Sequence, residues 1–349
     1  FRFVDSFAMG RSLRIAFWLP CAALLLPSDL SWAWADAGPR RRMLAATSAG
    51  LLPWLSSCAR ATDSPKRALI TGANSGIGLA TAMALAEKGW EVLPLCRSPQ
   101  KLRETLEDIT DLFPDAKLDT SAAPCELSDL RSVATCVRSL ATRNLDALIF
   151  NAGIDGAPFQ KTPQGHELHF AVNHLGHFAL YQGLKGSLRS DHRVVSVTSS
   201  AALDAQLDLA DLTWEKRSYG RHDAYATSKK CNVLFSDQLS RRLRAAGTMG
   251  SSNCIDPGPT ATQIVRYAYP ERALQRKDMT PVQLEKQARM FGLKTPSQAA
   301  QGLVWLSDSP DVRQVPDGQW WSGPARLFPV VDVPWRNEAM AQQLWEKSE

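Results

Sequence analysis

Cysteine is scarce in this 349-residue sequence, and its spacing excludes two kinds of protein. Of seven cysteines, two lie in the first 61 residues, and the others form an odd set without a Cys-x-x-Cys pair: Cys96, Cys125, Cys136, Cys231 and Cys254. This pattern excludes a disulfide scaffold and a cysteine zinc site. Two histidine pairs, His166/His169 and His174/His177, have no obvious carboxylate or cysteine partner. We therefore expect these histidines to pack or cap, and we predict no metal site.

An excess of one charge sign is absent from most of the chain. Residues 1–61 hold seven Arg and three Asp, with no Lys or Glu. The rest of the chain holds 33 Lys+Arg and 32 Asp+Glu, so the excess positive charge lies almost entirely in the first 61 residues. Because no basic stripe is left for a phosphate backbone, nucleic acid is not an expected partner.

The apolar runs of the first 61 residues are shorter than the roughly 20 residues that span a membrane. Arg11, Arg14, an apolar run over 15–27 and Ala33-Trp34-Ala35 match a secretory signal peptide. Arg40-Arg41-Arg42 and a second apolar run over 43–55 form another signal-like unit. We therefore predict a targeting leader over residues 1–61, a signal peptide plus a transit or twin-arginine-like segment. Any membrane contact is expected only through this leader.

The tandem leader resembles the bipartite targeting of proteins that enter plastids bounded by extra membranes. It predicts a plastid location, in the stroma or associated with thylakoids. The secretory pathway or the ER membrane is the alternative, and a misassigned start followed by a basic linker is another interpretation of the same residues.

Strand and helix patterns alternate from residue 66 onwards. The predicted strands are 67–72, 91–95, 117–125, 145–150 and 193–198, and the predicted helices are 78–88, 98–112, one from 129, 167–188 and one from about 224. Strands separated by helices pair in parallel. The sequence predicts an α/β fold, with a single Rossmann-type doubly wound parallel sheet and helices on both faces, in a domain over 62–349. A charged insert at about 263–294 is expected to be a mobile lid over the substrate.

A glycine-rich turn follows the first predicted strand and opens the first predicted helix. Its candidate cofactor-binding residues are Gly72, Asn74, Ser75, Gly76, Ile77 and Gly78. Glycines allow a tight turn and a close approach of a pyrophosphate to the helix N-terminus. About 20 residues later the chain has Arg97 where an acidic side chain would bind the ribose hydroxyls of NAD. An arginine pairs with a 2′-phosphate, so the predicted cofactor is NADP(H).

The sequence contains two Tyr-x-x-x-Lys motifs, Tyr181/Lys185 and Tyr225/Lys229. A tyrosine acid needs a nearby cation to lower its pKa and a hydroxyl to orient the substrate oxygen. Only Tyr225 has both a hydroxyl and a cation at suitable positions. Ser199 ends a predicted strand 26 residues earlier, and Lys229 lies one helical turn away. Tyr181 is expected to pack.

The Gly-x-x-x-Gly-x-Gly spacing and the Ser, Tyr and Lys order resemble the short-chain dehydrogenase/reductase family. The resemblance implies that Tyr225 transfers the proton, Ser199 orients the carbonyl, and Lys229 binds ribose and tunes Tyr225. It adds Asn173 as a fourth catalytic member, in support of a water relay to the lysine. It also implies further cofactor contacts, which are Glu126, Asn151, Ala152, Gly153, Tyr225, Lys229, Pro257, Gly258 and Thr262. The chain departs from the family pattern at Glu126, where Asp is usual, and at Asp256, where His or Asn is frequent.

Several segments resemble the retinol dehydrogenase branch: 172–178, 211–217, 225–235 and 294–296. This resemblance implies an NADP(H)-dependent oxidoreductase that interconverts an apolar carbonyl and an alcohol. A protochlorophyllide-type reductase shares segments 172–178 and 228–232, but it carries a longer insertion than the interval 199–225 allows. A non-catalytic NADP(H)-binding redox sensor or scaffold is the alternative from another class.

Overall fold

The computed structural model describes residues 64–140, 143–266, 281–314, 317–323 and 336–349. The predicted leader and residues 267–280 of the predicted lid lie outside these ranges. The described strands are β1 (Arg67–Thr71), β2 (Glu91–Leu95), β3 (Lys117–Leu118), β4 (Leu145–Phe150), β5 (Leu188–Val197), β6 (Ser251–Asp256) and β7 (Trp320–Ser322). The described helices are α1 (Gly76–Glu87), α2 (Pro99–Leu112), α3 (Leu130–Leu140), α4 (Leu168–Phe170), α5 (Gly176–Leu184), α6 (Arg221–Ala245), α7 (Pro281–Met290), α8 (Pro296–Asp308) and α9 (Glu338–Ser348).

The seven strands form one parallel sheet in the order β3-β2-β1-β4-β5-β6-β7. The chain therefore builds outward from β1 to β3 and returns to place β4 beside β1. The carboxyl ends of β1 and β4 flank this reversal of direction, which is where open α/β sheets bind ligands. The predicted doubly wound α/β sheet is confirmed.

Alternation along the strands divides the core into two layers. Leu69 of β1 faces the layer of α3, α5 and α6, whereas Ala68 and Ile70 face the layer of α1, α2 and α8. In the first layer the rings of Phe235 and Trp345 stack with centroids 5.8 Å apart, which joins α9 to α6. Helices thus cover both faces of the sheet.

Three predicted boundaries are wrong. The weak strand predicted over 117–125 is limited to the two residues of β3, which pair with the edge of β2. The single helix predicted over 167–188 is divided by a π-helical turn, Ala171–Leu175, and ends in a 3₁₀ turn, Lys185–Ser187. Strand β5 consequently begins at Leu188, five residues earlier than predicted, and its pairing with β4 shifts register between Leu145 and Ala147.

The polar sequence of β6 is explained by partners on neighbouring elements. Asn253 Oδ1 accepts hydrogen bonds from Trp321 Nε1 at 3.2 Å and from the backbone N–H of Gln319 at 3.1 Å. The hydroxyls of Ser252 and Ser236 lie 3.2 Å apart. Because these buried polar groups have partners, a polar strand is tolerated inside the sheet.

The described part of the predicted lid is helical except for its last residues, 291–294. It contains a 3₁₀ turn, Gln263–Arg266, and α7. Its return joins the loop after β6, since the backbone N–H of Lys294 donates to the carbonyl of Pro259 at 2.8 Å. None of the described helices combines the length and the apolar character needed to cross a membrane.

Candidate active site

A cleft of about 1230 Å³ runs along the carboxyl ends of β1, β4, β5 and β6. Of the cofactor-binding residues predicted from the sequence, only Gly78 is not part of its wall. The wall contains the others: Gly72, Asn74, Ser75, Gly76, Ile77, Arg97, Glu126, Asn151, Ala152, Gly153, Tyr225, Lys229, Pro257, Gly258 and Thr262. Ser199 also lines the cleft. Residues distant in the sequence are thus brought together at one edge of the sheet.

The glycine turn depends on the absence of side chains. Gly72 has φ +65°, and a Cβ there would lie 3.0 Å from the Cα of Ala152. At Gly78 a Cβ would lie 2.3 Å from the carbonyl oxygen of Gly72, so this position allows the turn to pack on the start of α1. Gly78 therefore shapes the cofactor turn from behind the cleft wall.

The first turn of α1 fits a dinucleotide pyrophosphate. Ser75, the N-cap, makes no side-chain capping bond to the helix. Gly76 and Ile77 of the first turn line the cleft, and Ser75 does not cap their end of the helix with its side chain, as an anion site at a helix N-terminus requires. Gly76, with φ +56°, packs against Thr262, where a Cβ would lie 3.1 Å from Cγ2.

The other end of the cleft is lined by charges of both signs, with Arg97 and Lys101 beside Glu104 and Asp108. Arg97 is exposed after β2, and Lys101 lies on the first turns of α2, whose N-cap Ser98 accepts from the backbone N–H of Lys101 at 3.3 Å. Lys101 Nζ also pairs with Glu104 at 2.6 Å. Both cations line the cleft, so the residues present fit a ribose 2′-phosphate. The sequence analysis did not predict a role for Lys101, although this lysine lies only four residues after Arg97.

Glu126, the departure from the usual Asp, lines the cleft but also holds its own loop. Its Oε1 accepts from the Ser128 hydroxyl at 2.9 Å and from the Ser128 backbone N–H at 3.2 Å. The longer side chain therefore folds back on the loop it belongs to.

Helix α6 places Tyr225 and Lys229 one turn apart, with Lys229 Nζ 5.7 Å from the centre of the Tyr225 ring. Lys229 is buried, and its Nζ donates to the carbonyl of Val197 at 3.0 Å. Ser199 follows β5 and lines the same cleft, and its side chain lowers the pKa of Tyr225. The three residues that the motif grouped are therefore adjacent in space.

The expected lowering of the Tyr225 pKa is not found. Burial raises this pKa, the carboxylates of Asp155 and Asp256 raise it further, and the Ser199 hydrogen bond lowers it. Burial also lowers the pKa of Lys229 to about 8, against the opposing charges of Asp155 and Asp256. Desolvation and two carboxylates thus set the direction of the Tyr225 shift, whereas for Lys229 desolvation outweighs the same two carboxylates.

Asn173 lies within the π turn and is fully buried, behind the cleft wall rather than in it. Its Oδ1 accepts from the Ile154 N–H at 2.8 Å, and its Nδ2 donates to the Ile154 carbonyl at 3.0 Å and to Ser228 Oγ at 2.8 Å. A Cβ on Gly153 would lie 3.3 Å from Asn173 Oδ1 and 3.5 Å from Lys229 Nζ. The structure therefore brings Asn173 close to Lys229 and uses its amide to hold the loop after β4.

A buried hydrogen-bond chain fixes the backbone of this wall. Thr71 Oγ1 accepts from the backbone N–H groups of Asn151 and Ala152, each at 3.0 Å, which leaves its hydroxyl proton for His177 Nε2 at 2.9 Å. His177 Nδ1 then donates to the carbonyl of Asn173 at 3.0 Å. Burial lowers the pKa of His177 to about 4, which keeps the ring neutral. Sequence reasoning missed Thr71 and assigned His177 only a packing or capping role.

A second buried cluster lies beside Tyr225. Glu167 caps α4, and its Oε1 accepts from Tyr219 at 3.0 Å and from His169 Nδ1 at 2.8 Å. The His169 ring lies 6.5 Å from the Tyr225 ring, edge to face. Among the described residues no group of His, Cys, Asp or Glu could hold a metal ion.

The competing tyrosine, Tyr181, lies elsewhere. It is buried on α5 between the rings of Phe235 and Trp345, with centroid distances of 5.9 and 6.2 Å. Lys185 is exposed and bonds to Gln182. This environment is that of a packing residue, as predicted.

Comparisons with known proteins agree with this geometry. A profile described as short chain dehydrogenase matches residues 66–273. The chain belongs to the short-chain dehydrogenase family. It is 34% identical over 304 residues to retinol dehydrogenase 14 of Homo sapiens, covering 81% of this chain and 85% of that protein. Retinol dehydrogenase 13 of Homo sapiens is 30% identical over 295 residues, covering 83% of this chain and 85% of that protein. The chain is therefore an oxidoreductase of the retinol dehydrogenase-like branch.

Solved structures share the fold. A protein of undescribed activity from Mycobacterium Paratuberculosis superimposes with a TM-score of 0.62 at 28% identity, covering 82% of this chain and 94% of that one. A structure described as an NAD(P)-dependent gluconate 5-dehydrogenase from Beutenbergia cavernae, with bound NADP at low occupancy, gives a TM-score of 0.53 at 25% identity. It covers 74% of this chain and 94% of that one.

Proposed function

We propose that this protein is an NADP(H)-dependent oxidoreductase that interconverts an apolar carbonyl and the corresponding alcohol. The observation that carries the proposal is the convergence of Ser199, Tyr225 and Lys229 on one cleft with the glycine turn. A cofactor bound along this cleft would supply the hydride for the carbonyl carbon.

In the reduction, the Tyr225 hydroxyl donates its proton to the carbonyl oxygen as that oxygen gains charge. The Ser199 hydroxyl hydrogen bonds to the same oxygen and holds it against Tyr225. The Lys229 ammonium favours the phenolate left behind, and the high pKa of Tyr225 keeps the phenol protonated until transfer. In the oxidation each step is reversed, with Tyr225 accepting the proton.

The proposed preference for NADP(H) depends on Arg97 and Lys101. Both side chains line the end of the cleft where the second ribose would lie, and Arg97 is exposed. A guanidinium binds a phosphate with two hydrogen bonds, which a 2′-hydroxyl does not match in charge. The solved relative with bound NADP supports the same cofactor class.

The proposed apolar substrate depends on the other half of the cleft. Its wall there includes the apolar side chains Ile154, Leu168, Val172, Ile264, Phe291 and Leu293, together with the amides of Gln160, Gln263 and Gln287. Such a surface binds a hydrocarbon body and leaves the polar contacts to Ser199 and Tyr225. Relatives named retinol dehydrogenase and polyprenol dehydrogenase are consistent with long apolar alcohols.

The test is consumption of NADPH, in the dark, by the purified protein with a panel of apolar aldehydes and ketones. We expect turnover with NADPH, little with NADH, and loss of turnover in Tyr225→Phe. The matched control is Tyr181→Phe, which removes the same hydroxyl from the other motif and is expected to retain activity. NADPH binding without turnover of any panel member, and without turnover of protochlorophyllide under light, would favour the redox sensor.

We also propose that residues 1–61 direct the protein to a plastid and are removed there. The support is the tandem arrangement of two signal-like units in the sequence. N-terminal sequencing of the mature protein should find a start near Thr62. A mature chain that retains the first apolar run would contradict removal and favour attachment to the ER membrane.

A further inference from the structure

Asp256 connects two loops of the active site. It is the last residue of β6, is 6% exposed, and directs its two carboxylate oxygens to different partners. Oδ2 accepts from the backbone N–H of Ser200 at 2.9 Å, and Oδ1 accepts from the backbone N–H of Gly258 at 2.8 Å. One side chain thus joins the turn after β5 to the loop after β6.

The two joined segments hold opposite sides of the reacting centre. Ser200 directly follows Ser199, which lines the cleft with Tyr225 and lowers the pKa of that phenol. Gly258, with φ +76°, belongs to the loop Pro257–Thr262, which lines the cleft and reaches Gly76 through Thr262. The start of that loop is also held by Lys294, whose Nζ donates to the carbonyl of Pro257 at 2.8 Å. Asp256 is the contact that ties this loop to the serine.

The residue types frequent at this place could not make both bonds. An asparagine has one acceptor oxygen and a nitrogen that only donates, and a neutral histidine has one acceptor nitrogen. A carboxylate has two acceptor oxygens and makes charge-assisted bonds to both N–H groups. The departure from the family pattern therefore has a geometric reason.

The charge of Asp256 also reaches the reacting groups. The ionisable groups around Tyr225 are Asp155 after β4, His169 on α4, Lys229 on α6 and Asp256 on β6. The two carboxylates raise the pKa of Tyr225 and the pKa of Lys229. Asp155 shares this charge effect, but no described bond links it to the serine turn or to Gly258.

We propose that Asp256 is a positioning residue, which locks the Ser199 turn to the Pro257–Thr262 loop and places a negative charge beside Tyr225 and Lys229. The proposal concerns the site of the proposed reductase and therefore rests on that function. Its two parts can be separated, because the chain offers one variant for each.

Three variants separate the bond from the charge. Asp155→Asn removes a neighbouring charge and leaves both bonds of Asp256. Ser200→Pro removes the N–H of Ser200 and leaves the charge. Proline suits this position, because Ser200 is the first residue of a 3₁₀ turn and Ser199 before it is extended, with φ −158° and ψ 152°. Asp256→Asn removes the charge and one of the two bonds.

The measurements are the rate of NADPH oxidation against pH, NADPH affinity from its fluorescence, and urea unfolding without cofactor. For Asp155→Asn we expect the high-pH limb of the reduction to move down by about one pH unit, with NADPH affinity kept. For Ser200→Pro we expect kcat to fall about 10- to 100-fold without a pH shift. Asp256→Asn should show both effects and bind NADPH about 10-fold more weakly.

Wild-type kcat and NADPH affinity in both Ser200→Pro and Asp256→Asn would overturn the proposal. Losses in Asp155→Asn equal to those in Asp256→Asn would also overturn it, because charge alone would then suffice. If the wild type binds NADPH but reduces no substrate, the proposed function fails. The NADPH affinities and unfolding midpoints of the variants still test the loop connection in that case.

Discussion

Replacing Lys229 with methionine should stabilise the protein in the absence of cofactor while removing activity. Lys229 is 1% exposed, and burial lowers its pKa to about 8 from an ordinary value near 10.5. At about 1.4 kcal/mol per pH unit, carrying the charged ammonium costs the folded state about 3 kcal/mol at pH 7. Methionine has a similar length and no charge.

The gain is reduced by one lost hydrogen bond. Lys229 Nζ donates to the carbonyl of Val197, and this bond contributes about 1 kcal/mol. The carbonyl keeps a partner in the variant, because Asn232 Nδ2 also donates to it at 3.1 Å. The net expectation for Lys229→Met at pH 7 is a free energy of unfolding higher by about 2 kcal/mol.

The same reasoning fixes a pH dependence. Between pH 8 and 10.5 the unfolded wild type binds more protons at Lys229 than the folded wild type, so wild-type stability rises with pH there. The cost is full below pH 8 and falls to about 1 kcal/mol at pH 10. The advantage of Lys229→Met should therefore be nearly gone at pH 10.

Urea unfolding of both proteins at pH 7 and pH 10, without cofactor, measures this difference, and the subtraction cancels the other titrating groups. A variant less stable than the wild type at pH 7 would refute the reasoning. A stability difference that is the same at both pH values would refute it as well, since the origin in Lys229 ionisation would be lost.

Two further predictions concern the cofactor half of the cleft. Gly78→Ala should lower the free energy of unfolding by about 1–3 kcal/mol and weaken NADPH binding, because the new Cβ would lie 2.3 Å from the Gly72 carbonyl oxygen. Gly186→Ala, where no atom lies within 4 Å of the added Cβ, is the control and should change stability by less than about 0.5 kcal/mol in the same denaturation assay. Arg97→Ala should raise the KM for NADPH about 10- to 100-fold and leave the KM for NADH unchanged in initial-rate measurements. An equal rise for both cofactors would place Arg97 outside the 2′-phosphate site.

The arrangement of sheet and helices could be predicted from local patterns. Apolar runs predict the strand Arg67–Thr71 and helix α1, and the glycines between them predict the turn. The irregular segment around Asn173 could not be predicted in this way. Its π turn is stabilised by bonds from Asn173 to Ile154 and Ser228, and these two partners are distant in the sequence.

The sequence by itself predicted the doubly wound sheet, the glycine turn and which Tyr-x-x-x-Lys motif lies at the cleft, because each depends on spacing along the chain. Only the tertiary structure decided the ionisation of that site. The pKa values of Tyr225 and Lys229 depend on burial and on Asp155 and Asp256, which come from the ends of two other strands. Burial and charge add up over neighbours in space, so a motif can name the reacting groups but cannot give the charges they carry.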